Sequence, residues 1–224
     1  DIRWLSKLPG GRDIARTIHE GATAMWFLSP SLRDEFCAIA GIEPMRVKSN
    51  IGPMPIERPV PLDRCRTALR RDLGLDRFTV LFLGRLVRVK GAAELLLALA
   101  GLPEPPSVRI AGDGPERGAL RALAQRLGID ARFEGWVSGE RKEALLRACD
   151  ALVLPSRPDD GLPTVLFEAR ARGLPIIATE LSAIPSRLRD DPGVKLVPSN
   201  DGAALGRAIA YEQAQASLGA AVRA

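Results

Sequence analysis

The stretch 78-FTVLFLGRLVRVKGAAELLLALA-100 decides the fold. Its first six residues are a continuous apolar run of strand length, and Ala92 to Leu99 has the composition of a buried helix. The loop from Gly84 to Gly91 joins the two. An apolar strand that leads at once into a helix is typical of parallel sheets covered by helices on both faces.

The same alternation continues toward the C-terminus. Further strands are predicted at 107–111, 132–133, 151–154, 175–179 and 194–197. Further helices are predicted at 115–127, 138–149, 164–172 and 202–213. This order predicts an α/β fold with a doubly wound, Rossmann-like parallel sheet, whose ligands bind at the carboxyl ends of the strands.

The first part of the chain is shorter and less regular. Strands are predicted at 22–28 and 45–48, with a helix from Ser29, its N-cap, to Ala40. Prolines then cluster within residues 50–66, which indicates a boundary between domains. We therefore predict a partial second α/β domain at 1–60, a linker at 61–77 and the main domain at 78–224. Asp1 to Gly11 carries no strand pattern, and we expect further sequence upstream.

Composition and net charge limit the ligands and the cellular location that the chain could have. Hydrophobic residues make up 46% of the 224 residues and the net charge is +5. This charge is compatible with an anionic ligand, an acidic membrane surface or nucleic acid, but the arginines are scattered without aromatic residues between them, which disfavours nucleic acid. Three cysteines far apart, with no signal peptide and no apolar run of membrane-spanning length, indicate a reducing, cytoplasmic location.

The loop after the first strand of the main domain carries two cations. Gly84 permits a sharp turn and a close approach of ligand to backbone, and Arg85 and Lys90 lie at the predicted ligand edge. A diphosphate requires such fixed positive charge and several donors. Two solvated basic residues beside a helix are the structural alternative.

The loop after the second strand, Gly112-Asp-Gly-Pro115, begins like a dinucleotide fingerprint but has Arg117 where the third glycine would stand. We interpret it as a tight turn into a helix that begins at Pro115, without direct ligand contacts.

The loop 155-PSRPDDGLPTVLFE-168 is the most informative, because it places Asp160 and Glu168 with seven residues between them. Gly161 and Pro163 favour a helix start at which the N–H groups of Leu162, Thr164 and Val165 form an anion site. Glu168 could accept hydrogen bonds from a vicinal diol such as ribose, and Asp160 from a second sugar. The alternatives are a surface turn for Asp160 and a dipole-stabilising acid for Glu168. A metal site at Asp159-Asp160 is disfavoured, since no third ligand is evident.

These stretches together resemble the retaining GT-B glycosyltransferases of the family 4 type, many of them bacterial. The resemblance covers residues 78–210 and rests on LFLGRLVRVKG at 81–91, AGDGPE at 111–116, FEGWVS at 133–138, VLPSRPDDGLPTVLFEA at 153–169 and GLPIIAT at 173–179. It implies a C-terminal donor-binding domain that takes a UDP- or GDP-linked sugar. It also implies transfer of that sugar, with retained configuration, to an acceptor such as a glycan or a lipid-linked molecule, without a cofactor or metal.

The resemblance also implies roles for individual residues. Arg85 and Lys90 would hold the diphosphate and stabilise its charge as it leaves, and Asp160 would hold hydroxyls of the transferred sugar. Donor binding would involve the turn at Gly84, the backbone at Trp136 and Val137 for the base, the backbone from Gly161 through Leu162 and Pro163 to Thr164, and the carboxylate of Glu168 for the ribose.

Three departures from the family pattern matter. Asp160 stands where the family usually has Glu, and the segment 181–186 lacks the family's Gly-Gly…Pro-Glu pattern. Residues 1–77 resemble only the last part of the family's acceptor domain, and His19 does not match its catalytic histidine. We therefore expect a donor-binding fragment, incomplete for turnover. A noncatalytic sugar-nucleotide-binding module and a nucleotide-sugar epimerase or hydrolase remain open, as does peripheral contact with the inner membrane face.

Overall fold

A computed structural model of the chain describes residues 3–27, 30–52, 59–158, 160, 163–181, 184 and 186–221. The chain divides into two compact units, Asp1–Pro55 and Ile56–Ala224, each with a hydrophobic core of its own. The division falls within the proline-rich stretch 50–66. None of the helices in the ranges given above combines the length and hydropathy that crossing a membrane requires.

The first unit places three helices beside a small parallel sheet. The helices are α1 (Arg3–Ser6), α2 (Gly11–Gly21) and α3 (Pro30–Ala40), and the strands are β1 (Met25–Phe27) and β2 (Ser49–Ile51). Its core contains Leu5, Ala15, Phe27, Phe36, Cys37, Ala40 and Val47. The predicted end of the first strand, Leu28, and the predicted N-cap, Ser29, lie outside the described residues.

The second strand of this unit lies further along the chain than predicted. Residues Pro44–Arg46 form a 3₁₀ turn, and β2 begins only at Ser49. The prediction of a strand at 45–48 was wrong because Pro44 has a fixed φ angle that suits the start of a helical turn. β2 pairs in parallel with β1, with Met25 opposite Ser49 and Phe27 opposite Ile51.

The second unit contains a six-stranded, entirely parallel sheet, which confirms the predicted fold class. Its strands are β3 (Thr79–Leu83), β4 (Ser107–Ala111), β5 (Ala131–Gly135), β6 (Ala151–Leu154), β7 (Ile176–Thr179) and β8 (Val194–Val197). They lie in the order β5-β4-β3-β6-β7-β8. The chain therefore runs outward from β3 to β5 and then returns to β6, so the winding reverses between β3 and β6.

Helices flank this sheet. They are α4 (Arg66–Leu73), α5 (Ala92–Ala100), α6 (Arg117–Leu127), α7 (Gly139–Ala148), α8 (Val165–Arg170), α9 (Ser186–Arg189) and α10 (Gly202–Ala221). In the central strand Val80, Leu81 and Phe82 are each fully buried. Since successive side chains of a strand point to opposite faces, both faces of the sheet are covered. Burial of one such side chain stabilises the fold by about 2–3 kcal/mol.

Helix α4 was missed, because it lies within the stretch predicted as a linker, 61–77. Its sequence RTALRRDL is strongly charged, yet Leu69 and Leu73 are buried in the core of the second unit. Arg70 donates hydrogen bonds to the carbonyl oxygen of Ala148 and to Asp150. Leu69 and Leu73, four residues apart, lie on the same face of the helix. Their burial and the pairing of Arg70 with Asp150 attach this helix to the core, although its composition is that of a linker.

Candidate functional site

Loops at the carboxyl ends of β3, β4, β5 and β6 surround a cavity of about 330 Å³. It lies at the edge where the sequence predicts a ligand, next to the strand pair at which the winding reverses. The residues that line it are Leu83, Gly84, Arg85, Ala111, Gly112, Asp113, Trp136, Val137, Ser138, Lys142, Thr164, Val165 and Glu168.

The loops after β3 and β4 are held against each other by main-chain hydrogen bonds. The N–H of Gly84 donates to the carbonyl oxygen of Ala111 at 3.0 Å, and that of Leu86 to Asp113 at 2.8 Å. Gly112 has a φ of 141°, and a Cβ there would overlap the carbonyl oxygen of Gly84. Glycine is thus required for this close approach. Helix α6 begins at Arg117, later than the predicted start at Pro115. Gly112 and Asp113, which precede this helix, line the cavity.

The loop after β3 is also joined to the loop after β6. The N–H of Arg157 donates to the carbonyl oxygen of Val89 at 2.8 Å. Gly91 has a φ of 76°, and a Cβ there would overlap the carbonyl oxygen of Pro155. These contacts position residue 90 next to residue 160, which are far apart in the sequence.

Lys90 and Asp160 form an ion pair as a result. The Lys90 Nζ lies 2.8 Å from the Asp160 Oδ2, and the two side chains are 16% and 10% exposed. Neither residue lines the cavity, but the Lys90 side chain passes Gly84, with its Cδ 3.9 Å from where a Cβ on Gly84 would lie. The pair therefore lies next to the turn at Gly84, which lines the cavity.

Arg85 differs from Lys90 in having no counterion among the residues that the structure describes. Its side chain is exposed and lines the cavity. No hydrogen bond or ion pair joins it to any other residue that the structure describes. The cavity thus holds a guanidinium whose donors are available to an anionic ligand.

Glu168 lies within α8, on the wall of the cavity, and is almost entirely buried. Its Oε2 lies 2.6 Å from the Nζ of Lys142, a residue of α7. The sequence analysis did not identify Lys142, because it belongs to the charged stretch GERKEALLRA, which reads as a solvent-exposed helix face. The available signal was the predicted helix start at Ser138, directly after a strand, which places the first turn of α7 at the ligand edge.

The remaining predicted site residues differ in whether they line the cavity and in how exposed they are. Trp136 and Val137 both line the cavity; the Trp136 side chain is 77% exposed, whereas that of Val137 is buried. Thr164 lines the cavity as well, and Pro163 is buried outside its lining. Gly161 and Leu162, predicted to donate main-chain N–H groups, lie outside the described residues. Helix α8 begins at Val165, and the carbonyl oxygen of Pro163 accepts a hydrogen bond from Leu166.

The structure thus brings together around one cavity the following residues of the predicted set: Gly84, Arg85, Trp136, Val137, Thr164 and Glu168. Lys90 and Asp160 are brought together next to it. Within the described ranges, no group of three or more His, Cys, Asp or Glu side chains is arranged to hold a metal ion. The arrangement offers cations for a diphosphate and a buried carboxylate for hydroxyl groups.

Comparison with known proteins identifies a family for this arrangement. Residues 77–211 match the sequence profile described as "Glycosyl transferases group 1". These residues include all six strands of the second unit and every residue that lines the cavity.

Individual relatives share the same region. The chain is 39% identical over 135 residues to the phosphatidyl-myo-inositol mannosyltransferase of Mycobacterium leprae, a match covering 58% of this chain and 36% of the relative. It is 30% identical over 203 residues to the GDP-mannose-dependent alpha-(1-6)-phosphatidylinositol monomannoside mannosyltransferase of Mycobacterium tuberculosis, covering 84% of this chain and 52% of the relative. The chain thus spans about half the length, or less, of these curated relatives.

Solved structures share the fold. The crystal structure of HepE from Anabaena in complex with UDP-glucose matches with a TM-score of 0.76 and 20% sequence identity. The match covers 90% of this chain and 57% of that one. At this identity the similarity establishes the architecture of the chain.

Proposed function

This chain belongs to the group 1 glycosyltransferase family, and from that premise we propose that its second unit binds a nucleotide diphosphate sugar for transfer to an acceptor with retained configuration. The observation that carries this proposal is that one cavity is lined both by the exposed guanidinium of Arg85, which pairs with no other described residue, and by the buried carboxylate of Glu168. A nucleotide diphosphate sugar requires both groups in one cavity, a cation for its diphosphate and an acceptor for its ribose diol.

The diphosphate lies at the loop after β3. Arg85 donates to its oxygens directly, and the ammonium of Lys90 adds a second positive charge from beside the turn at Gly84. As the bond between sugar and phosphate breaks, negative charge accumulates on the departing diphosphate. Lys90, which is fixed by its ion pair with Asp160, and Arg85, whose donors are available, stabilise that charge electrostatically.

The carboxylates hold the two sugars of the donor. Glu168 accepts hydrogen bonds from the ribose hydroxyls, and the Nζ of Lys142 lies 2.6 Å from its Oε2. Asp160 accepts hydrogen bonds from the transferred sugar while it remains paired with Lys90. Because Lys90 touches Asp160, one cation serves both the diphosphate and the carboxylate that holds the sugar.

Relatives support a sugar nucleotide as donor and a lipid-linked or glycan acceptor. A structural neighbour binds UDP-glucose, and one sequence relative is described as GDP-mannose-dependent and acts on a phosphatidylinositol mannoside. The present chain spans about half of such proteins. We therefore propose that these 224 residues supply the donor site of a larger enzyme, and that they bind donor but transfer sugar poorly by themselves.

Titration calorimetry with UDP, GDP and their hexose conjugates tests donor binding. Wild type binds at least one of the two nucleotides, and Glu168→Gln weakens that binding about tenfold or more, since the buried carboxylate loses its charge. The control is Glu104→Gln, an exposed glutamate that does not line the cavity. Absence of binding by wild type would leave a noncatalytic module with another ligand and reject the proposal.

Product analysis tests the reaction class. With donor alone, wild type releases no free hexose and forms no epimerised donor, since the chain carries a transferase site. Hydrolysis or epimerisation that depends on Arg85 and Asp160 would instead assign the site to a hydrolase or epimerase. In the complete enzyme, the anomeric configuration of the product, measured by NMR, is retained; inversion would contradict that part of the proposal.

A further inference from the structure

A second cavity lies at the opposite edge of the six-stranded sheet. Its volume is about 780 Å³, compared with about 330 Å³ for the proposed donor cavity, and no residue lines both. Phe78, Asp150 and Pro175 line the second cavity and directly precede β3, β6 and β7. In a parallel sheet these positions share the amino edge, whereas the donor cavity lies at the carboxyl edge. A five-residue strand such as β3 separates the two edges by about 16 Å.

Guanidinium groups outnumber carboxylates around this second cavity, which we call the arginine cavity. Five arginines and three acids line it. The arginines are Arg66, Arg70, Arg77, Arg147 and Arg172, and the acids are Asp76, Asp150 and Glu212. This excess of positive charge attracts anions, and the planar fork of each guanidinium matches the oxygens of a phosphate group.

One carboxylate of the arginine cavity serves two arginines. The Oδ1 of Asp150 lies 2.5 Å from the Nη2 of Arg66, and its Oδ2 lies 2.8 Å from the Nη1 of Arg70. A single negative charge thus holds two positive charges in place and leaves one of them uncompensated. Arg172 differs from these two arginines, because its side chain is only 5% exposed and pairs with Glu143, which lies outside the lining. Arg172 is therefore committed to a structural pair, whereas Arg66, with a side chain 53% exposed, is accessible to a ligand.

Arg77 and Arg147 pair with no carboxylate among the residues that the structure describes. Arg77 donates a hydrogen bond to the carbonyl oxygen of Pro105. Arg147 donates to the carbonyl oxygens of Leu62 and Arg64. Carbonyl groups carry no net charge, so they hold these two side chains in place and leave both positive charges uncompensated.

Hydrogen-bond donors are available on the two exposed arginines of the cavity, Arg66 and Arg77. Each of them donates to other described residues only from its Nη2. Their Nε and Nη1 groups therefore have no partner in the described part of the chain. Apolar side chains line the same cavity, since Leu146 and Leu174 are buried there and Phe78 is partly buried. Cations beside apolar surface, in a cavity of this volume, suit an organic molecule that carries a phosphate.

We propose that the arginine cavity binds an organic phosphate, whose oxygens accept hydrogen bonds from Arg66 and Arg77 while Arg147 adds a third positive charge. The site is separate from the donor cavity, so this proposal goes beyond the function proposed above and does not depend on it. Two sources offer the same chemistry, a free phosphate ester and the headgroup of an anionic phospholipid.

Two probes test the proposal and distinguish the sources. Calorimetry measures binding of glycerol 3-phosphate, and co-sedimentation measures binding to phosphatidylcholine vesicles with and without phosphatidylglycerol. Wild type binds glycerol 3-phosphate, the vesicles that contain phosphatidylglycerol, or both. In the double variant Arg66→Gln, Arg77→Gln this affinity falls about tenfold or more, since two charged hydrogen-bond donors are lost.

Two control variants locate the binding. The double variant Arg126→Gln, Arg207→Gln removes two exposed arginines outside the lining of the arginine cavity and keeps the wild-type affinity. Arg85→Ala changes a residue that lines only the donor cavity, and it keeps the wild-type affinity as well.

The fold of the double variant is checked by its melting temperature. Asp150 keeps its ion pair with Arg70 when Arg66 is replaced, so the melting temperature is expected to equal that of wild type. If it falls, Arg77→Gln by itself takes the place of the double variant, because it removes a single hydrogen bond to a described residue. Its affinity for the probe is expected to fall about threefold or more.

The proposal is rejected if wild type binds neither probe, or if Arg66→Gln, Arg77→Gln binds as tightly as its control. It is also rejected if Arg85→Ala loses binding while the double variant keeps it, because the anion would then occupy the donor cavity. A loss in the double variant with the vesicles alone assigns a membrane headgroup as the source, and a loss with glycerol 3-phosphate assigns a free ester. These results stand whether or not wild type binds UDP or GDP, so the function proposed above fails or holds separately.

Discussion

The Nζ of Lys142 lies 2.6 Å from the Oε2 of Glu168, and this ion pair joins helices α7 and α8 across the wall of the cavity. Both side chains are largely buried, 16% and 9% exposed. Such a pair is shielded from solvent and salt more than a surface pair is, so its geometry is maintained before any ligand arrives.

A double-mutant cycle measures this pair. Lys142→Met and Glu168→Gln, alone and together, are expected to show a coupling free energy of about 1–3 kcal/mol in urea unfolding, since each single change leaves a buried charge beside a neutral group. Additivity of the two single changes within about 0.5 kcal/mol would show that the pair does not stabilise the protein.

Arg85→Ala is expected to weaken binding of UDP, GDP and pyrophosphate without changing stability. The guanidinium lines the cavity but pairs with no other described residue, so the free energy of unfolding should stay within about 0.5 kcal/mol of wild type. Arg88→Ala, an exposed arginine of the same loop outside the cavity lining, is the matched control for the loss of one charge. Equal losses of affinity in both variants would indicate a general electrostatic effect.

Glu134 makes the stability of the second unit depend on pH. Burial alone would raise its pKa, but hydrogen bonds and charge from Arg141 and Arg109 outweigh burial and hold the pKa below the ordinary 4.5. A carboxylate with a lowered folded-state pKa stabilises the protein at pH values above its unfolded pKa, and this contribution is lost as the pH falls through the folded pKa. The side chain is 5% exposed, and Arg109 is equally buried.

Glu134→Gln is therefore expected to destabilise the protein by about 3 kcal/mol at pH 7, because Arg109 loses its carboxylate. The difference from wild type should shrink as the pH falls below about 4.5, where the unfolded chain takes up the proton first, and it should be lost as the pH passes through the lower pKa of folded Glu134. Urea unfolding at a series of pH values measures this difference in the free energy of unfolding, and Glu104→Gln, at an exposed position, is the control. A difference that does not vary with pH would contradict this assignment.

Two glycine substitutions are expected to have opposite effects. Gly112→Ala should destabilise the protein by about 2 kcal/mol or more, since its φ is 141° and a Cβ would overlap the carbonyl oxygen of Gly84. Gly118→Ala, within α6 and with open space around it, should stabilise by about 0.5–1 kcal/mol. Thermal unfolding measures both, and tolerance of alanine at position 112 would contradict the close approach of the two loops.

Thiol labelling should distinguish the three cysteines. Cys65 is exposed, whereas Cys37 and Cys149 are buried. Burial, together with the nearby charge of Asp150, raises the pKa of Cys149 to about 12, and burial raises that of Cys37 as well. At pH 8 we expect one fast-reacting thiol per chain, which Cys65→Ser removes, because only the thiolate reacts. Fast reaction of a second thiol in the folded protein would contradict the burial of the other two.

The strands and helices of the second unit were predictable because a parallel sheet buried on both faces leaves uniformly apolar runs, such as Phe78 to Leu83. Helix α4 was not predictable from the same rule. Its apolar content is little more than Leu69 and Leu73, and its docking depends on Arg70, which pairs with Asp150 some 80 residues later in the chain.

The residues of the candidate site also fall into two groups, those that the sequence could identify and those that it could not. Gly84, Arg85 and Glu168 could be identified because they follow predicted strand ends, and strand ends of a parallel sheet share one edge. Lys142 could not, since nothing in the sequence distinguishes it from the charged residues around it. The separation of Arg85 from the Lys90–Asp160 pair was also not predictable, because it depends on how Gly84 and Gly91 pack against neighbouring loops.

The sequence by itself determined the order of strands and helices, and with it the edge of the sheet at which polar residues collect, because hydrophobic periodicity and glycine positions are local properties. Only the tertiary structure decided which charge meets which: Lys90 with Asp160, Lys142 with Glu168, and Arg85 with none of the described residues. The physical reason is the short range over which an ion pair forms. An ion pair depends on distances of a few ångströms between loops far apart in sequence, and the close packing of glycine backbones sets those distances.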